Sequence, residues 1–277
     1  MAYTEWGDPA NPRVLVCVHG LSRQGRDFDT LARDLSRDYR VVCPDVVGRG
    51  ESDWLADPMG YNIPAYITDM VTLIARLNVS QVDWVGTSMG GLIGLGLASL
   101  LTAKAPQMSL VRRLVINDIG PTIDPAGMAR IGSYLGRPSR WASVEDAASA
   151  MWQISQSFGA HSPDEWLGLS RPQLKPDEQG GFVPRCDPAI VAPIAAMTPE
   201  IAAAGEAMMW QSYDRVTAPT LLLRGADSDL LSRATAQSMT ERGPKARLHE
   251  FAGVGHAPTL VHADQRRVVR EFLLASA

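Results

Sequence analysis

The feature that most constrains the fold is a series of short apolar runs, each followed by a glycine or a polar residue. The runs lie at 14–18, 40–44, 82–85, 114–116, 220–223 and 246–251. Runs of this length are typical of strands buried on both faces, as in a parallel sheet covered by helices. Segments of helical periodicity, such as 28–35, 63–77 and 89–101, separate several of the runs. The alternation predicts an α/β fold with a mostly parallel, doubly wound sheet.

The alternation stops between residues 119 and 212. That stretch contains ten prolines and four of the seven tryptophans, and its pattern is helical. A crossover between neighbouring parallel strands needs only one helix. The longer stretch therefore predicts a helical cap, residues 119–212, inserted into a core domain formed by 1–118 and 213–277.

Composition excludes several classes of protein. The 277 residues are 45% hydrophobic and 20% charged, which is ordinary globular usage. The formal net charge is −4, and no block of Lys and Arg is present. A sequence-independent nucleic-acid binder needs a basic footprint, so we expect no nucleic-acid partner.

Targeting signals are not visible in the sequence. The N-terminus has no basic segment followed by an apolar one, and no apolar stretch approaches the roughly 20 residues of a membrane span. The three cysteines have no metal-ligand spacing and suit small buried side chains. We expect a cytoplasmic monomer or homodimer without a membrane span, a metal or a cofactor.

A Gly-x-Ser-x-Gly motif, Gly86 to Gly90, follows the run at 82–85. With a strand before it and a buried helix after it, this spacing predicts a sharp turn that exposes the hydroxyl of Ser88 at the sheet edge. Serine is a weak nucleophile and needs a neighbouring base. His256, in a glycine-rich loop after the last run, lies at the same edge and is the candidate base, whereas His19 is interpreted as structural.

Three aspartates could orient this base. Asp229 and Asp227 follow the run at 220–223, and Asp118 follows the run at 114–116 after Asn117. All three precede His256 in the chain, so the order of residues does not separate them. We favour Asp229, with Asp118 as the alternative acid and Asp227 as a weaker one.

Attack on a carbonyl creates an oxyanion, which needs fixed N–H donors. The backbone N–H of Met89 directly follows the predicted nucleophile. The turn after the first buried run, His19-Gly20-Leu21, supplies the backbone N–H of Leu21 as the second expected donor.

The chain resembles the α/β-hydrolase superfamily in five segments that occur in the expected order. These are 19–21, 45–52, 86–90, 225–229 and 255–256. The resemblance implies an α/β-hydrolase fold, with Ser88 as nucleophile, His256 as base, and Leu21 and Met89 as oxyanion donors. It assigns a structural role to 45–52. This chain departs from the family pattern at Ser228, which occupies the usual position of the acid. Because some relatives take their acid from the strand before the cap, Asp118 remains a candidate for that role.

These parts predict a serine hydrolase that cleaves carboxylic esters of small or medium groups through an acyl-enzyme. The alternatives are a carbon–carbon bond, enol-lactone or hydroxyacid-oligomer hydrolase on the same scaffold, and a binding module without turnover. Arg23 and Arg26 follow the oxyanion turn. Both could bind a substrate carboxylate, Arg23 above all, although a solvated surface face is the more common role of such arginines.

Overall fold

The computed structural model describes residues 1–100 and 109–275. The strands within these ranges are β1 (Tyr3–Trp6), β2 (Val14–Val18), β3 (Arg40–Pro44), β4 (Val82–Thr87), β5 (Val111–Asn117), β6 (Leu174–Pro176), β7 (Phe182–Pro184), β8 (Thr220–Gly225) and β9 (Arg247–Phe251).

The helices within the same ranges separate most of the strands. They are α1 (Asp29–Leu35), α2 (Ile63–Leu77), α3 (Met89–Ser99), α4 (Pro125–Tyr134), α5 (Val144–Ser155), α6 (Pro163–Ser170), α7 (Ala192–Ala195), α8 (Pro199–Arg215), α9 (Arg233–Glu241) and α10 (Ala263–Leu274). The helix expected over 89–101 matches α3 as far as Ser99, and Leu101 lies outside the described residues.

Seven strands form one sheet in the order β1-β3-β2-β4-β5-β8-β9. All neighbouring pairs are parallel except β1 with β3, which confirms the expected mostly parallel sheet. The sequence pattern does not predict β1, because this edge strand is only partly buried and its apolar content is low. The carboxyl ends of the parallel strands meet at one edge, so the loops after them share that edge.

Both faces of the sheet are buried. Successive residues of a strand point to opposite faces, and in β2 Val14, Val16 and Val18 join one apolar cluster while Leu15 and Cys17 join the other. Side chains of α2, α3, α8 and α9 complete the first cluster, and those of α1 and α10 complete the second. This two-sided burial explains why the strands are continuously apolar.

Helices α4 to α8 and the β6–β7 hairpin lie between β5 and β8 in the chain. The hairpin is not anticipated by the helical pattern of this stretch. The expected boundary at 212 falls inside α8, and the end of that helix belongs to the core because Tyr213 is fully buried and donates a hydrogen bond to the Met239 carbonyl (2.5 Å).

Within residues 1–100 and 109–275, no single helix combines the length and apolar character needed to cross a membrane. One pair of helical segments, Pro188–Ala195 and Pro199–Arg215, reaches the length and composition together but is bent by 97°.

Candidate active site

Ser88 lies at the turn between β4 and α3 in a strained backbone conformation, with φ 52° and ψ −118°. Such a conformation costs on the order of 1–3 kcal/mol and occurs mainly at functional sites. The flanking glycines make the turn sterically feasible. A Cβ on Gly86 would lie 2.1 Å from the Gly90 carbonyl oxygen, and a Cβ on Gly90 would lie 2.0 Å from that of Val18.

The imidazole of His256 lies between a hydroxyl and a carboxylate. Its Nε2 is 2.9 Å from Ser88 Oγ, and its Nδ1 is 2.8 Å from Asp118 Oδ2. A carboxylate only accepts hydrogen bonds, so Nδ1 carries the proton and Nε2 accepts from the serine hydroxyl. Ser88, His256 and Asp118 therefore form one hydrogen-bonded series from the end of β4 to the end of β5.

Asp118 is fully buried, and both of its carboxylate oxygens are hydrogen-bonded. Oδ1 accepts from the Gly225 N–H (2.8 Å), and Oδ2 accepts from Ser228 Oγ (2.7 Å) as well as from His256. Ser228, which occupies the usual acid position, thus supports the carboxylate from the neighbouring strand.

The geometry corrects the expectation that Asp229 orients His256. Asp229 forms an ion pair with Arg130 of α4, with Arg130 Nε 2.5 Å from Asp229 Oδ2, and its side chain is 39% exposed. This guanidinium lowers the pKa of the Asp229 carboxyl. Asp227 is exposed to solvent. The alternative, Asp118, is the aspartate that contacts the base.

The turn after β2 lies beside the serine, since a Cβ on Gly20 would be 3.6 Å from Ser88 Cβ. His19 is fully buried, its Nδ1 lies 2.7 Å from the Gly20 carbonyl oxygen, and its Nε2 accepts from the Val46 N–H at 3.0 Å. Burial lowers the pKa of His19 to about 3, which matches a neutral ring with its proton on Nδ1. Because a trans peptide directs its C=O and N–H oppositely, this bond also fixes the direction of the Leu21 N–H.

Arg49, in the turn after β3, contacts both residues expected to supply oxyanion donors. It is fully buried; its Nε donates to the Leu21 carbonyl at 2.8 Å, and its Nη2 lies 3.7 Å from Met89 Sδ. Tyr61 and Tyr66 lie against the guanidinium, and the described part of the chain places no carboxylate in an ion pair with it. The turn 45–52, to which the resemblance assigns a structural role, thus places a buried positive charge beside the residues expected to supply the oxyanion donors.

Asn117 connects three loops at the same edge. Its Nδ2 donates to Thr87 Oγ1 at 2.9 Å and to the Pro258 carbonyl at 2.8 Å. The side chain is fully buried. It therefore holds the segments that precede Ser88 and follow His256 against the end of β5, directly before Asp118.

Ser88 and His256 open into a cavity of about 920 Å³ between this edge and the segment 119–212. This volume lies near the upper end of the range of roughly 300–1,000 Å³ that is usual for small-molecule sites. The apolar lining includes Trp141. Trp152 and Trp166 instead pack on each other, with ring centroids 5.0 Å apart. The tryptophans of this segment therefore divide between the cavity wall and the core of the segment itself.

Arg23 lines the cavity, as its place after the oxyanion turn suggests, but its charge already has a partner. Its Nε and Nη2 each lie 2.7 Å from a carboxylate oxygen of Asp27, and Nη2 also donates to the Leu169 carbonyl. Arg26 pairs with Asp29. Arg23 thus joins the oxyanion turn to α6, and the structure does not favour it as a free carboxylate binder.

Sequence reasoning missed Arg49, Asn117 and Ser228 as parts of the site. Two of them could have been found from the sequence, since Asn117 ends an apolar run and Ser228 stands where the family usually has the acid. The described residues contain no group of three or more His, Cys, Asp or Glu side chains that could hold a metal ion.

Comparison with known proteins identifies the family of this chain. The model of the alpha/beta hydrolase family matches residues 15–271. A 3-hydroxybutyrate-oligomer hydrolase of Cupriavidus necator is 52% identical over 277 residues, covering 98% of this chain and 92% of that protein. Esterase YbfF of Escherichia coli is 25% identical over 272 residues, covering 95% and 94% of the two chains.

Solved structures show the same architecture. An alpha/beta hydrolase from Novosphingobium aromaticivorans has a TM-score of 0.83 at 33% sequence identity, covering 98% of this chain and 92% of that one. The family match spans most of the chain, and curated relatives of similar length cleave esters. This chain therefore belongs to the alpha/beta hydrolase family and is an enzyme that hydrolyses esters.

Proposed function

We propose that the enzyme cleaves short oligomers of 3-hydroxybutyrate, with Ser88 as nucleophile, His256 as general base and Asp118 as the acid that orients it. The observation that carries the catalytic assignment is the hydrogen-bonded series from Asp118 through His256 to Ser88. The cap proposed for residues 119–212 covers the site and supplies much of the cavity lining.

The first half of the reaction forms an acyl-enzyme. Ser88 Oγ attacks the ester carbonyl carbon while its proton moves to His256 Nε2, and the bond to the leaving alcohol then breaks as that alcohol takes the proton. Asp118 accepts the Nδ1–H and stabilises the imidazolium that forms between these steps. Water activated by His256 releases the acid in the second half.

The proposed oxyanion hole consists of the Leu21 and Met89 backbone N–H groups. Met89 is the first residue of α3, and the first N–H groups of a helix have no acceptor within it. His19 fixes the Gly20–Leu21 peptide, which contributes the Leu21 N–H, and Arg49 holds the next peptide through the Leu21 carbonyl. In a water-excluded site such fixed donors stabilise developing charge strongly.

The substrate class rests on two observations. The Cupriavidus necator protein that is 52% identical is a hydrolase of 3-hydroxybutyrate oligomers. The cavity of about 920 Å³ combines apolar side chains with several basic ones. That lining suits a chain of small esters that ends in a free carboxylate.

Replacing the nucleophile tests the catalytic assignment. Ser88→Ala should lower hydrolysis of 3-hydroxybutyrate dimers and trimers by about 10⁶-fold, because removal of a triad serine costs on that order. Product release followed by chromatography measures the loss. Ser22→Ala, a hydroxyl that also lines the cavity, is the matched control and should retain activity. Turnover by Ser88→Ala near the wild-type rate would contradict the assignment.

A panel of p-nitrophenyl esters of increasing acyl length tests the substrate class separately. The proposal expects a higher kcat/KM for the oligomers than for p-nitrophenyl esters of unbranched acids. Efficient turnover of p-nitrophenyl esters with none of the oligomers would remove 3-hydroxybutyrate as substrate while leaving the catalytic series intact.

A further inference from the structure

The cavity is lined by five basic side chains, three of which have acidic partners. The pairs are Arg23 with Asp27, Arg130 with Asp229, and Arg140 with Asp177. An ion pair of this kind leaves little charge to attract an anionic ligand. The question is therefore which of the lining cations remains without a counter-charge.

Arg137 and Lys175 are the two that remain. In the ranges 1–100 and 109–275, neither forms an ion pair with a carboxylate. Arg137 is exposed in the segment after α4, and Lys175 of β6 lies over the ring of Trp54, with its Nζ 4.6 Å from the ring centroid. Trp54 lines the cavity as well.

The two cations belong to one continuous wall. The segment 137–141 joins β7 through paired backbone hydrogen bonds between Trp141 and Phe182, at 2.8 and 3.0 Å. Strand β7 in turn pairs with β6, where Val183 lies opposite Lys175. We call Arg137, Lys175 and the paired Arg140 the basic wall.

The remaining acidic group of the cavity is already engaged. Asp187 is buried, accepts from the Tyr61 hydroxyl at 2.5 Å, and accepts from the Ala189 N–H at 2.9 Å. No carboxylate of the described residues thus pairs with Arg137 or Lys175, so a ligand carboxylate can take that position, and an arginine can bind such a group through two hydrogen bonds.

We propose that Arg137 and Lys175 bind the free carboxylate at the end of the substrate's leaving group. The inference rests on the proposed function, because a 3-hydroxybutyrate oligomer carries its single carboxylate on the alcohol side of every ester it contains. When Ser88 attacks the carbonyl, the departing 3-hydroxyacyl alcohol takes the proton from His256 and keeps its carboxylate on the basic wall. The enzyme therefore selects esters of hydroxyacids over esters of neutral alcohols.

Two matched substrates test this selection without requiring an oligomer. 3-Butyryloxybutanoate and its methyl ester share the ester bond to butyrate, and their leaving groups are an anion and a neutral alcohol. The initial rate of butyrate release reports cleavage of this bond and not of the methyl ester. The wild-type enzyme should favour the acid by about 10- to 100-fold in kcat/KM, which is about 1.4–2.8 kcal/mol at 1.4 kcal/mol per tenfold and lies in the range of hydrogen bonds to charged groups.

Arg137→Met and Lys175→Met remove the charges while keeping apolar bulk. Each should raise KM for the acid by about 5- to 10-fold, with kcat and all constants for the methyl ester changed less than about twofold. Arg171→Met is the matched control, since Arg171 is an exposed cation of the same segment that does not line the cavity.

Ionic strength gives a second readout on the unaltered enzyme. Raising it from about 0.01 M to about 0.15 M shortens the screening length from about 30 Å to about 8 Å. KM for the acid should rise, and KM for the methyl ester should stay constant.

Equal kcat/KM for the acid and the methyl ester in the wild-type enzyme would overturn the proposal, as would equal losses on both substrates in the variants. These outcomes are distinct from a failure of the proposed function. If the enzyme does not hydrolyse oligomers but still prefers the acid, only the oligomer is refuted as substrate, and carboxylate binding by the basic wall is retained.

Discussion

The carboxyl edge of the sheet and the basic wall of the cavity differ in how their charged side chains are surrounded. At the sheet edge, Asp118 and Arg49 are fully buried, and their polar atoms have fixed hydrogen-bond partners. On the wall, Arg137 is exposed and, within the described residues, forms no ion pair. Both regions face the same cavity.

The difference indicates that the two regions suit different functions. Buried charges that are held by several bonds cannot reorient, so they suit a reaction whose geometry must be fixed in advance. Exposed charges lose little solvation and can accept ligands of different length, which suits selection among substrates. Asp118 and Asp229, close in space but in different surroundings, provide the sharpest test of this view.

The largest expected effect separates these two aspartates. Asp118→Asn should lower kcat/KM by about 10⁴-fold, because an amide favours the wrong tautomer of the catalytic histidine. Asp229→Asn should change it by less than about fivefold, since the partly exposed pair with Arg130 is worth about 0–1 kcal/mol. Steady-state kinetics with one ester measures both.

A larger loss of kcat/KM in Asp229→Asn than in Asp118→Asn would identify Asp229 as the acid instead. Circular dichroism of Asp118→Asn distinguishes loss of function from loss of the fold. Ser228→Ala, which removes one donor to Asp118, should give an intermediate loss.

A smaller effect is expected from the buried cation at the sheet edge. Arg49→Met removes the donor to the Leu21 carbonyl and the charge beside Met89, so kcat should fall by about 10- to 100-fold with KM little changed. The free energy of unfolding should fall by about 1–3 kcal/mol, because the Leu21 and Val47 carbonyls lose their donor.

Tyr66→Phe is the control, since it removes only an acceptor from Arg49. An unchanged kcat in Arg49→Met would place Arg49 outside the catalytic machinery and weaken the contrast between the two regions.

The smallest effect concerns the ion pair of Arg130 and Asp229, which joins α4 to the loop after β8. The pKa of Asp229 is lowered in the folded state, so the pair stabilises the fold above the ordinary pKa of Asp and this contribution is lost as pH falls through the folded pKa. Arg130→Met should cost at most about 1 kcal/mol at pH 7, after allowance for the exposure of both side chains.

Urea unfolding of the wild type and Arg130→Met at pH 7 and near pH 3 measures the difference. The difference between the two proteins should be smaller at the lower pH, because protonation of Asp229 removes the ion pair. An equal difference at both pH values would show that Arg130 contributes through packing rather than through its charge.

Much of the fold follows from residue patterns that act locally. The buried strands are continuously apolar because helices cover both faces of the sheet, and that requirement is visible in each run. The serine turn is set by its local sequence in the same way. A Cβ at Gly86 or Gly90 would overlap backbone within the turn or its neighbouring strand, so Ser88 needs glycine on both sides. Strand β1 and the β6–β7 hairpin could not be predicted, because short, half-buried strands depend on the partner beside them.

The sequence by itself determined the strand order along the chain, the serine turn and the loop that holds His256. Only the tertiary structure decided that Asp118 rather than Asp229 reaches this histidine. It also decided that Arg23 is paired, whereas no carboxylate of the described residues forms an ion pair with Arg137 or Lys175. The physical reason is the separation along the chain over which each kind of interaction acts. Helical and strand periodicity is set by neighbours along the chain, whereas a hydrogen bond of about 3 Å depends on how loops from distant strands align at one sheet edge.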